Sequence, residues 1–198
     1  MSTMVATRLM GIDPGLNCTG YGVVDRFPDG RCRLVEGGAV RTPPGDLARR
    51  LELLYKGIAE ALADLQPQVV VVEALFSHYR HPRTAILMGH ARGVIYLAAT
   101  LRGLPVSAYP ASQVKCALTG SGRAGKQQVA EMVCSRLQLS EVPQPHDVTD
   151  ALALALCHAN PGRFGEGELP AGLQTLRAAG RTSLPPAVQE AGQARRGR

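Results

Sequence analysis

The sequence has no acidic residue between Glu73 and Glu131. Residues 74–130 nevertheless carry many basic and histidine side chains: Arg80, Arg83, Arg92, Arg102, Lys115, Arg123 and Lys126, together with His78, His81 and His90. The whole chain has a formal net charge of +6. A long acid-free segment of this kind favours a polyanionic partner. The alternative is a solvated surface in an arginine-rich protein, because overall charge alone discriminates poorly between functions.

Paired cysteines are also missing. The five cysteines, at positions 18, 32, 116, 134 and 157, never form a Cys-x-x-Cys pair. Because they are scattered and odd in number, they predict neither a disulfide framework nor a zinc site. We expect reduced, mostly buried thiols.

Long hydrophobic runs are absent as well. No apolar run reaches the roughly 20 residues that a membrane-spanning helix needs. The first eight residues also lack the basic, apolar and small-residue layout of a secretion signal. We therefore expect a soluble, cytoplasmic protein.

The chain has 198 residues, 45% of them apolar, which is enough for one domain with a substantial core. We place this domain at residues 1–160. Residues 161–198 are dominated by Gly, Ala, Pro, Arg and Gln, and this composition predicts a disordered tail. Such a tail either adds electrostatic attraction to nucleic acid or only improves solubility.

The hydrophobic pattern predicts an α/β fold with a mixed sheet. Three strands are predicted, at 7–13, 21–25 and 31–37, and the short turns between them indicate an antiparallel arrangement. Asp46 begins a predicted helix that ends near Leu65. The run 69–72 is apolar on both faces and follows that helix, which is typical of a buried parallel strand.

A helix predicted at 84–101 is apolar on more than one side. Either it is buried within its own domain, or a second face contacts a partner subunit, with Gly89 and Gly93 permitting close approach. The remaining predicted elements are a strand at 105–109, a helix capped by Ser112, a loop at 120–125, and helices at 126–137 and 147–159.

Asp13 is a charge in an unexpected place. It ends the apolar run 9–12 and precedes Pro14, so a carboxylate lies where a buried strand opens into a turn. A buried carboxylate normally protonates, pairs or binds a metal, because an unpaired buried charge is costly. Glu73 ends the apolar run 69–72 in the same way. If the first and fourth strands are neighbours, the two side chains converge at one edge of the sheet.

Asp147 and Asp150 complete a set of four acids. They are three residues apart at the start of the last predicted helix, so they share one face. Hard oxygen ligands select magnesium or manganese, and two such ions roughly 4 Å apart hydrolyse a phosphodiester by generating hydroxide and stabilising the leaving oxygen. The structural alternative is that Asp147 is an N-cap and Asp150 favours the helix dipole. His146, beside the pair, either touches the metal-bound water or caps the helix.

Six ordered segments resemble the RuvC family of Holliday junction resolvases, which belong to the ribonuclease H-like superfamily. The segments are Gly11-Ile-Asp-Pro-Gly15, Thr19-Gly-Tyr-Gly-Val23, Val72-Glu-Ala-Leu-Phe76, Ala91-Arg-Gly-Val94, Gln113-Val-Lys115 and Asp147-Val-Thr-Asp-Ala-Leu-Ala153. The resemblance covers residues 8–160. It implies a ribonuclease H-like mixed sheet, with three antiparallel strands followed by parallel strands, flanked by helices.

The resemblance also implies an activity and its partners. It implies a homodimer that nicks two symmetric strands of a four-way DNA junction during homologous recombination and DNA repair. The cofactors implied are two magnesium or manganese ions per active site. The family is associated with the RuvA and RuvB branch-migration proteins, which are expected partners on this ground alone.

The site residues that the resemblance implies fall into two groups. Asp13, Glu73, Asp147 and Asp150 match the metal-binding acids of the family. The expected DNA-binding residues are Phe76, Arg80, Arg83, Lys115 and Lys126. Among these, Lys115 and Lys126 resemble basic residues near the scissile phosphate, and Phe76 matches an aromatic that is placed against junction bases.

Two other functions stay open at this point. An actin-like phosphotransferase would use Asp13 and the turn 15–20 to hold nucleotide phosphates, but the sequence shows no clear second phosphate loop. A non-catalytic junction-binding protein would bind DNA equally well, but it has no use for four acids.

Overall fold

The computed structural model describes residues 5–74 and 82–160, with the side chains of Pro82 and Arg83 outside the description. The described elements are β1 (Thr7–Asp13), β2 (Cys18–Arg26), β3 (Cys32–Arg41), α1 (Leu47–Leu65), β4 (Val69–Glu73), α2 (Pro82–Leu101), β5 (Val106–Tyr109), α3 (Ala111–Thr119), α4 (Lys126–Leu137) and α5 (His146–Ala159). The predicted tail, 161–198, lies outside the described residues, so its disorder and its boundary stay predictions.

The five strands form one mixed sheet in the order β3-β2-β1-β4-β5. The pairs β1–β2 and β2–β3 are antiparallel, and the pairs β1–β4 and β4–β5 are parallel. The predicted α/β fold class is confirmed, and β1 and β4 are neighbours as the carboxylate argument required. One local difference is that Cys18–Gly20, predicted as a turn, belongs to β2, because its residues pair with β1 or β3.

The two faces of the sheet are covered by different helices. Leu9 of β1 and Val71 of β4 share a core with α3, α4 and α5. Met10 and Ile12 alternate with Leu9, so they point to the opposite face, and both are fully buried. The two remaining helices pack together: α1 packs against α2 and β3, and α2 packs against β5.

The helix α5 lies against the sheet with backbone touching backbone. A Cβ atom added to Gly11 in the middle of β1 would lie 1.9 Å from the carbonyl oxygen of Ala151 and 2.8 Å from the amide nitrogen of Ala155. Only glycine leaves room for this approach. As a consequence α5 is buried on nearly every side, and the position of its first turn is set by the strand below it.

The helix α2 has one buried face and one exposed face. Ala91 and Ile95 are fully buried, whereas Ile86 and Leu97 are 60% and 53% exposed. Among the described helices, Thr84–Leu101 is long and apolar enough to cross a membrane by length and composition alone, with a mean hydropathy of 1.2. No apolar run of membrane-spanning length was expected from the sequence. A core helix of a globular protein passes the same test, so the finding is weak evidence for a membrane.

Two local predictions are wrong. Ser112 does not cap α3, because that helix begins at Ala111 and its N-cap position is Pro110, without a side-chain cap. The five cysteines are free, but only Cys157 is buried and the other four are partly exposed. The predicted cap of α1 is correct, since the carboxylate of Asp46 accepts a hydrogen bond from the amide of Arg49 at 3.0 Å.

Candidate active site

Asp13 and Glu73 lie at the same edge of the sheet. Asp13 is the last residue of β1 and Glu73 is the last residue of β4, and the two strands are parallel neighbours. Side chains alternate along a strand, so Asp13 shares a face with Gly11 and Glu73 shares a face with Val71. That is the face covered by α5. The convergence predicted from the two strand ends is therefore present.

The first turn of α5 brings Asp147 and Asp150 to this edge. Helix α5 lies directly on Gly20, where an added Cβ would be 2.1 Å from the carbonyl oxygen of Asp147. Gly20 is itself the partner of Asp13 across β1 and β2. The close approach at Gly20 therefore places the helical acids beside the strand acids.

All four carboxylates line one cavity of about 630 Å³, called the acid cavity below. Lys115 and Lys126 line it as well, and Thr84 and Leu87 of α2 form part of its wall. The loop 14–17, which follows β1, and Cys18 at the start of β2 form another part. A cavity in which two lysines face four acids can hold cations at the acids and an anionic group at the lysines.

Burial and mutual repulsion act strongly on Asp13. Its pKa is raised from 3.8 to about 7, first by burial and then by the negative charges of Glu73, Asp150 and Asp147, with Lys126 opposing. Without a cation about half of the folded molecules therefore hold a proton on Asp13 at neutral pH. The site has more negative charge than its own lysines balance.

The same causes act on Glu73. Burial raises the pKa of Glu73 and the charge of Asp150 raises it further, while Lys126, Arg92 and Lys115 oppose the shift. Three cationic side chains thus lie near enough to Glu73 to act on its charge. A carboxylate whose pKa is shifted by burial and by nearby charges, and which lies in a cavity, is typical of a functional site.

The donor set fits a hard divalent cation. Within residues 5–74 and 82–160, no three acidic, histidine or cysteine side chains are arranged closely enough to enclose a metal ion as they stand. The four acids nevertheless line one cavity and raise the pKa of Asp13 together, and a bound dication would offset that repulsion. All four donors are carboxylate oxygens, which suit magnesium or manganese better than zinc.

The capping interpretation of Asp147 is wrong. Helix α5 begins at His146, its N-cap position is Pro145, and no side chain caps it. Burial and the neighbouring Asp147 carboxylate instead raise the pKa of the Cys18 thiol, so Asp147 faces Cys18. His146 is the first residue of α5 and does not cap it. Its side chain is exposed and does not line the acid cavity.

The predicted DNA-binding residues divide into two groups. Lys126 extends into solvent with its Nζ 3.4 Å from Oδ2 of Asp150, and Lys115 is half-buried in the cavity wall. Phe76 and Arg80 lie in residues 75–81, outside the described residues, and the side chain of Arg83 is not described. Their roles stay predictions.

Sequence reasoning did not single out Arg92 as a site residue. Its guanidinium lies 4.9 Å from the ring centre of Tyr96 and donates a hydrogen bond to the hydroxyl of that residue. Its Nη1 is buried and has no hydrogen-bond partner among the described residues. The sequence did contain a signal for this role, because an arginine on the buried stretch of an apolar helix needs a charged neighbour. Glu73 is such a neighbour, since the charge of Arg92 lowers its pKa.

A mixed sheet of this order, with carboxylates at the ends of β1 and β4 and on the adjoining helix, defines a ribonuclease H-like nuclease. The structure of Thermus thermophilus RuvC in complex with a Holliday junction substrate superposes with a TM-score of 0.77 and 39% sequence identity. It covers 82% of this chain and 99% of the Thermus chain.

The family model for RuvC, crossover junction endodeoxyribonuclease, matches residues 9–158. The RuvC of Rhodopirellula baltica is 48% identical over 153 residues, which are 77% of this chain and 85% of that protein. The RuvC of Aromatoleum aromaticum is 43% identical over 185 residues, which are 93% of this chain and 96% of that protein. The chain belongs to the RuvC family.

Family membership decides between the predicted functions. The predictions of the family, of the ribonuclease H-like fold class and of a crossover junction endodeoxyribonuclease are confirmed. The actin-like phosphotransferase and the non-catalytic binding protein are set aside. Nucleases of this kind depend on divalent metal ions, which agrees with the charge balance of the acid cavity.

Proposed function

We propose that this protein resolves four-way DNA junctions by symmetric metal-dependent nicking during homologous recombination and DNA repair, with Asp13, Glu73, Asp147 and Asp150 as the metal ligands. The observation that carries the proposal is the convergence of these acids from β1, β4 and α5 in one cavity. Burial and the repulsion of the other three acids raise the pKa of Asp13 to about 7, and this supports the proposal because a bound divalent cation would stabilise the ionised carboxylates.

Two magnesium or manganese ions per site are the proposed cofactors. When bound, such ions supply the Lewis acidity that activates water for attack and stabilises the leaving oxygen. The four acids would hold them, and Asp13 and Glu73 do so from strand ends that leave little freedom of movement.

The lysines are proposed to bind the phosphates of the cleaved strand. Lys126 lies at the cavity mouth beside Asp150, and the charge of Asp150 raises its pKa. Lys126 therefore carries a positive charge at neutral pH, and together with Lys115 it can neutralise phosphate oxygens next to the acids. Phe76, Arg80 and Arg83 are proposed to extend this contact, on the basis of family membership.

Cleavage of a junction tests this function. A synthetic four-way junction and a linear duplex containing the same sequences are incubated with the protein in magnesium, in manganese or in chelator. We expect nicks in two symmetric strands of the junction with either metal, none in chelator and none in the duplex. Equal cleavage of junction and duplex would contradict the proposed selectivity for structure, and cleavage in chelator would contradict the role of the acids.

A homodimer through the exposed face of α2 is proposed as the working assembly. Four apolar side chains are exposed along this helix: Ile86, Leu87, Leu97 and Leu101. Within residues 5–74 and 82–160, no atom lies within 4 Å of a Cβ added at Gly89 or Gly93, so the described structure leaves room for a second backbone to approach there. A two-fold dimer would present two acid cavities to a junction that is itself close to two-fold symmetric.

Charges introduced on this face should dissociate the dimer. We expect wild-type protein to sediment as a dimer and the double variant Ile86→Lys with Leu97→Lys to sediment as a monomer, because two buried charges cannot be desolvated cheaply in the interface. The matched control is Val5→Lys, since Val5 is an exposed apolar residue outside α2 at 77% exposure. A double variant that remains dimeric would place the interface elsewhere.

Partners and location complete the proposal. As a RuvC family member the protein is proposed to act with RuvA and RuvB on branch-migrated junctions, in the cytoplasm, where the bacterial chromosome lies. The five free cysteines agree with a reducing compartment.

A further inference from the structure

The loop that follows Asp13 is held by an arginine from another element. Arg50 of α1 donates from Nη2 to the carbonyl oxygen of Leu16 at 3.1 Å and to Oδ1 of Asn17 at 2.5 Å. Its Nε donates to Oγ1 of Thr42 at 3.0 Å, and the Thr42 hydroxyl donates to the same Leu16 carbonyl. Four hydrogen bonds thus fix two consecutive loop residues and the end of β3.

This contact determines which way the Asn17 amide faces. A guanidinium has only donors, so the group next to it must be the amide oxygen and not the amide nitrogen. The –NH2 group of Asn17 therefore points away from Arg50. Its two N–H donors have no acceptor among residues 5–74 and 82–160. The part of the Asn17 side chain that faces away from Arg50 is therefore a hydrogen-bond donor.

The free donors lie on the rim of the acid cavity. Asn17 is exposed and lines that cavity together with Asp13, which lies four residues earlier at the end of β1. A strand whose scissile phosphate reaches the four acids brings its neighbouring phosphates close to the rim of this cavity. Phosphate oxygens are the most frequent acceptors in protein–DNA contacts, and neutral amide side chains commonly contact them.

We propose that Asn17, oriented by Arg50, donates a hydrogen bond to a phosphate oxygen of the DNA strand that lies over the acid cavity. The inference rests on the proposed function of that cavity. The contact adds a neutral donor to the positive charges of Lys115 and Lys126 and sets the position of the strand relative to Asp13.

Two substitutions of Asn17 separate a direct contact from its alternatives. Asn17→Asp keeps an oxygen for Arg50, so the loop stays fixed, but it removes the donors and repels phosphate. Asn17→Ala removes the donors and the Arg50 contact without adding charge. Junction affinity is measured in chelator, which excludes any effect on metal binding, and thermal midpoints are measured alongside.

We expect both variants to bind the junction more weakly, Asn17→Ala by about tenfold, the usual loss for one hydrogen bond to a charged group. Asn17→Asp should lose more, with a thermal midpoint at or above that of the wild type. If Asn17 only braces the loop, Asn17→Asp will bind normally and Asn17→Ala weakly. If the effect is general repulsion, Asn17→Ala will bind normally. Either pattern would overturn the proposal.

Two controls test whether the loss of junction affinity is specific to the Asn17 contact. Ser135→Asp adds the same charge on an exposed residue of α4 nine positions after Lys126, roughly 13 Å away along the helix axis. It should leave affinity within about twofold. Lys115→Ala should lower the slope of log affinity against log salt by about one, because a cation releases counterions, whereas Asn17→Ala should leave that slope unchanged.

The outcome for Asn17 is distinguishable from failure of the proposed function. Wild-type protein that does not cleave the junction with magnesium or manganese would contradict the function itself. Wild-type protein that cleaves, together with Asn17 variants that bind normally, would contradict only the phosphate contact.

Discussion

Asp13→Asn is expected to abolish junction cleavage while junction binding survives. Asn is nearly the same size as Asp, so the end of β1 keeps its shape, but the amide cannot replace the negative charge that a divalent cation requires. Asp13 is also the carboxylate whose pKa responds to all three of the other acids, which places it at the centre of the set. Cleavage of a labelled junction in magnesium and in manganese measures the effect.

The matched control for this prediction is Asp29→Asn. Asp29 lies in the turn between β2 and β3 and pairs with Arg31, away from the acid cavity. Its loss should leave cleavage at the wild-type rate. Binding of Asp13→Asn in chelator should equal or exceed that of the wild type, because one negative charge near the DNA phosphates has been removed. Cleavage by Asp13→Asn at the normal rate would show that Asp13 is not a metal ligand.

The pH dependence of stability checks that Asp13→Asn is folded and that the pKa of Asp13 is raised in the folded wild type. In chelator, the folded wild type binds the proton of Asp13 more tightly than the unfolded chain, since the pKa is about 7 against 3.8. Stability should therefore fall as pH rises from about 4 to about 7. Asp13→Asn lacks this loss. The difference between its free energy of unfolding in urea and that of the wild type should therefore favour the variant least near pH 4 and most above pH 7. An unchanged difference across that range would contradict the raised pKa.

Gly11→Ala is expected to destabilise the protein by roughly 3 kcal/mol or to prevent folding, the upper end of the range for overpacked cores. The new Cβ would lie 1.9 Å from the backbone oxygen of Ala151. Backbone cannot rotate away as a side chain can, so α5 must move off the sheet. Because α5 carries Asp147 and Asp150, any folded fraction should also lose cleavage. Urea unfolding measures the first effect and junction cleavage the second.

Gly125→Ala is the control for this glycine argument. An added Cβ on Gly125 has no atom within 4 Å in the described structure, and its φ of −71° is open to any residue. Gly125 is the N-cap position of α4, where Ala is less favourable than Gly by roughly 1 kcal/mol or less, so this variant should lose much less stability than Gly11→Ala. Gly11→Ala with wild-type stability would mean that α5 does not depend on close approach to β1.

Local pattern was sufficient for much of the secondary structure. The predicted helix at 126–137 has the bounds of α4, and Asp46 caps α1 as expected. Both depend on residues within a turn or two of each other, where helical period and capping chemistry act. The predictions failed where a longer-range contact intervened. Cys18–Gly20 looks like a turn, but pairing on both sides makes it strand.

The sequence by itself singled out the four acids that line the acid cavity. A charge at the end of an apolar run is visible without a structure, as it was for Asp13 and Glu73, because burying an unpaired carboxylate is costly wherever the chain goes. The order of motifs determined the family in the same way. These features lie along the chain and need no knowledge of what packs against them.

Only the tertiary structure decided how those residues act on one another. It placed β1 beside β4, brought α5 onto Gly20, and showed that Asp147 is no helix cap. It also joined Arg50 to Asn17 across 33 positions of sequence. The physical reason is that a pKa, a close backbone approach and the direction of an amide all depend on atoms brought near by packing. Packing is a property of the whole folded chain.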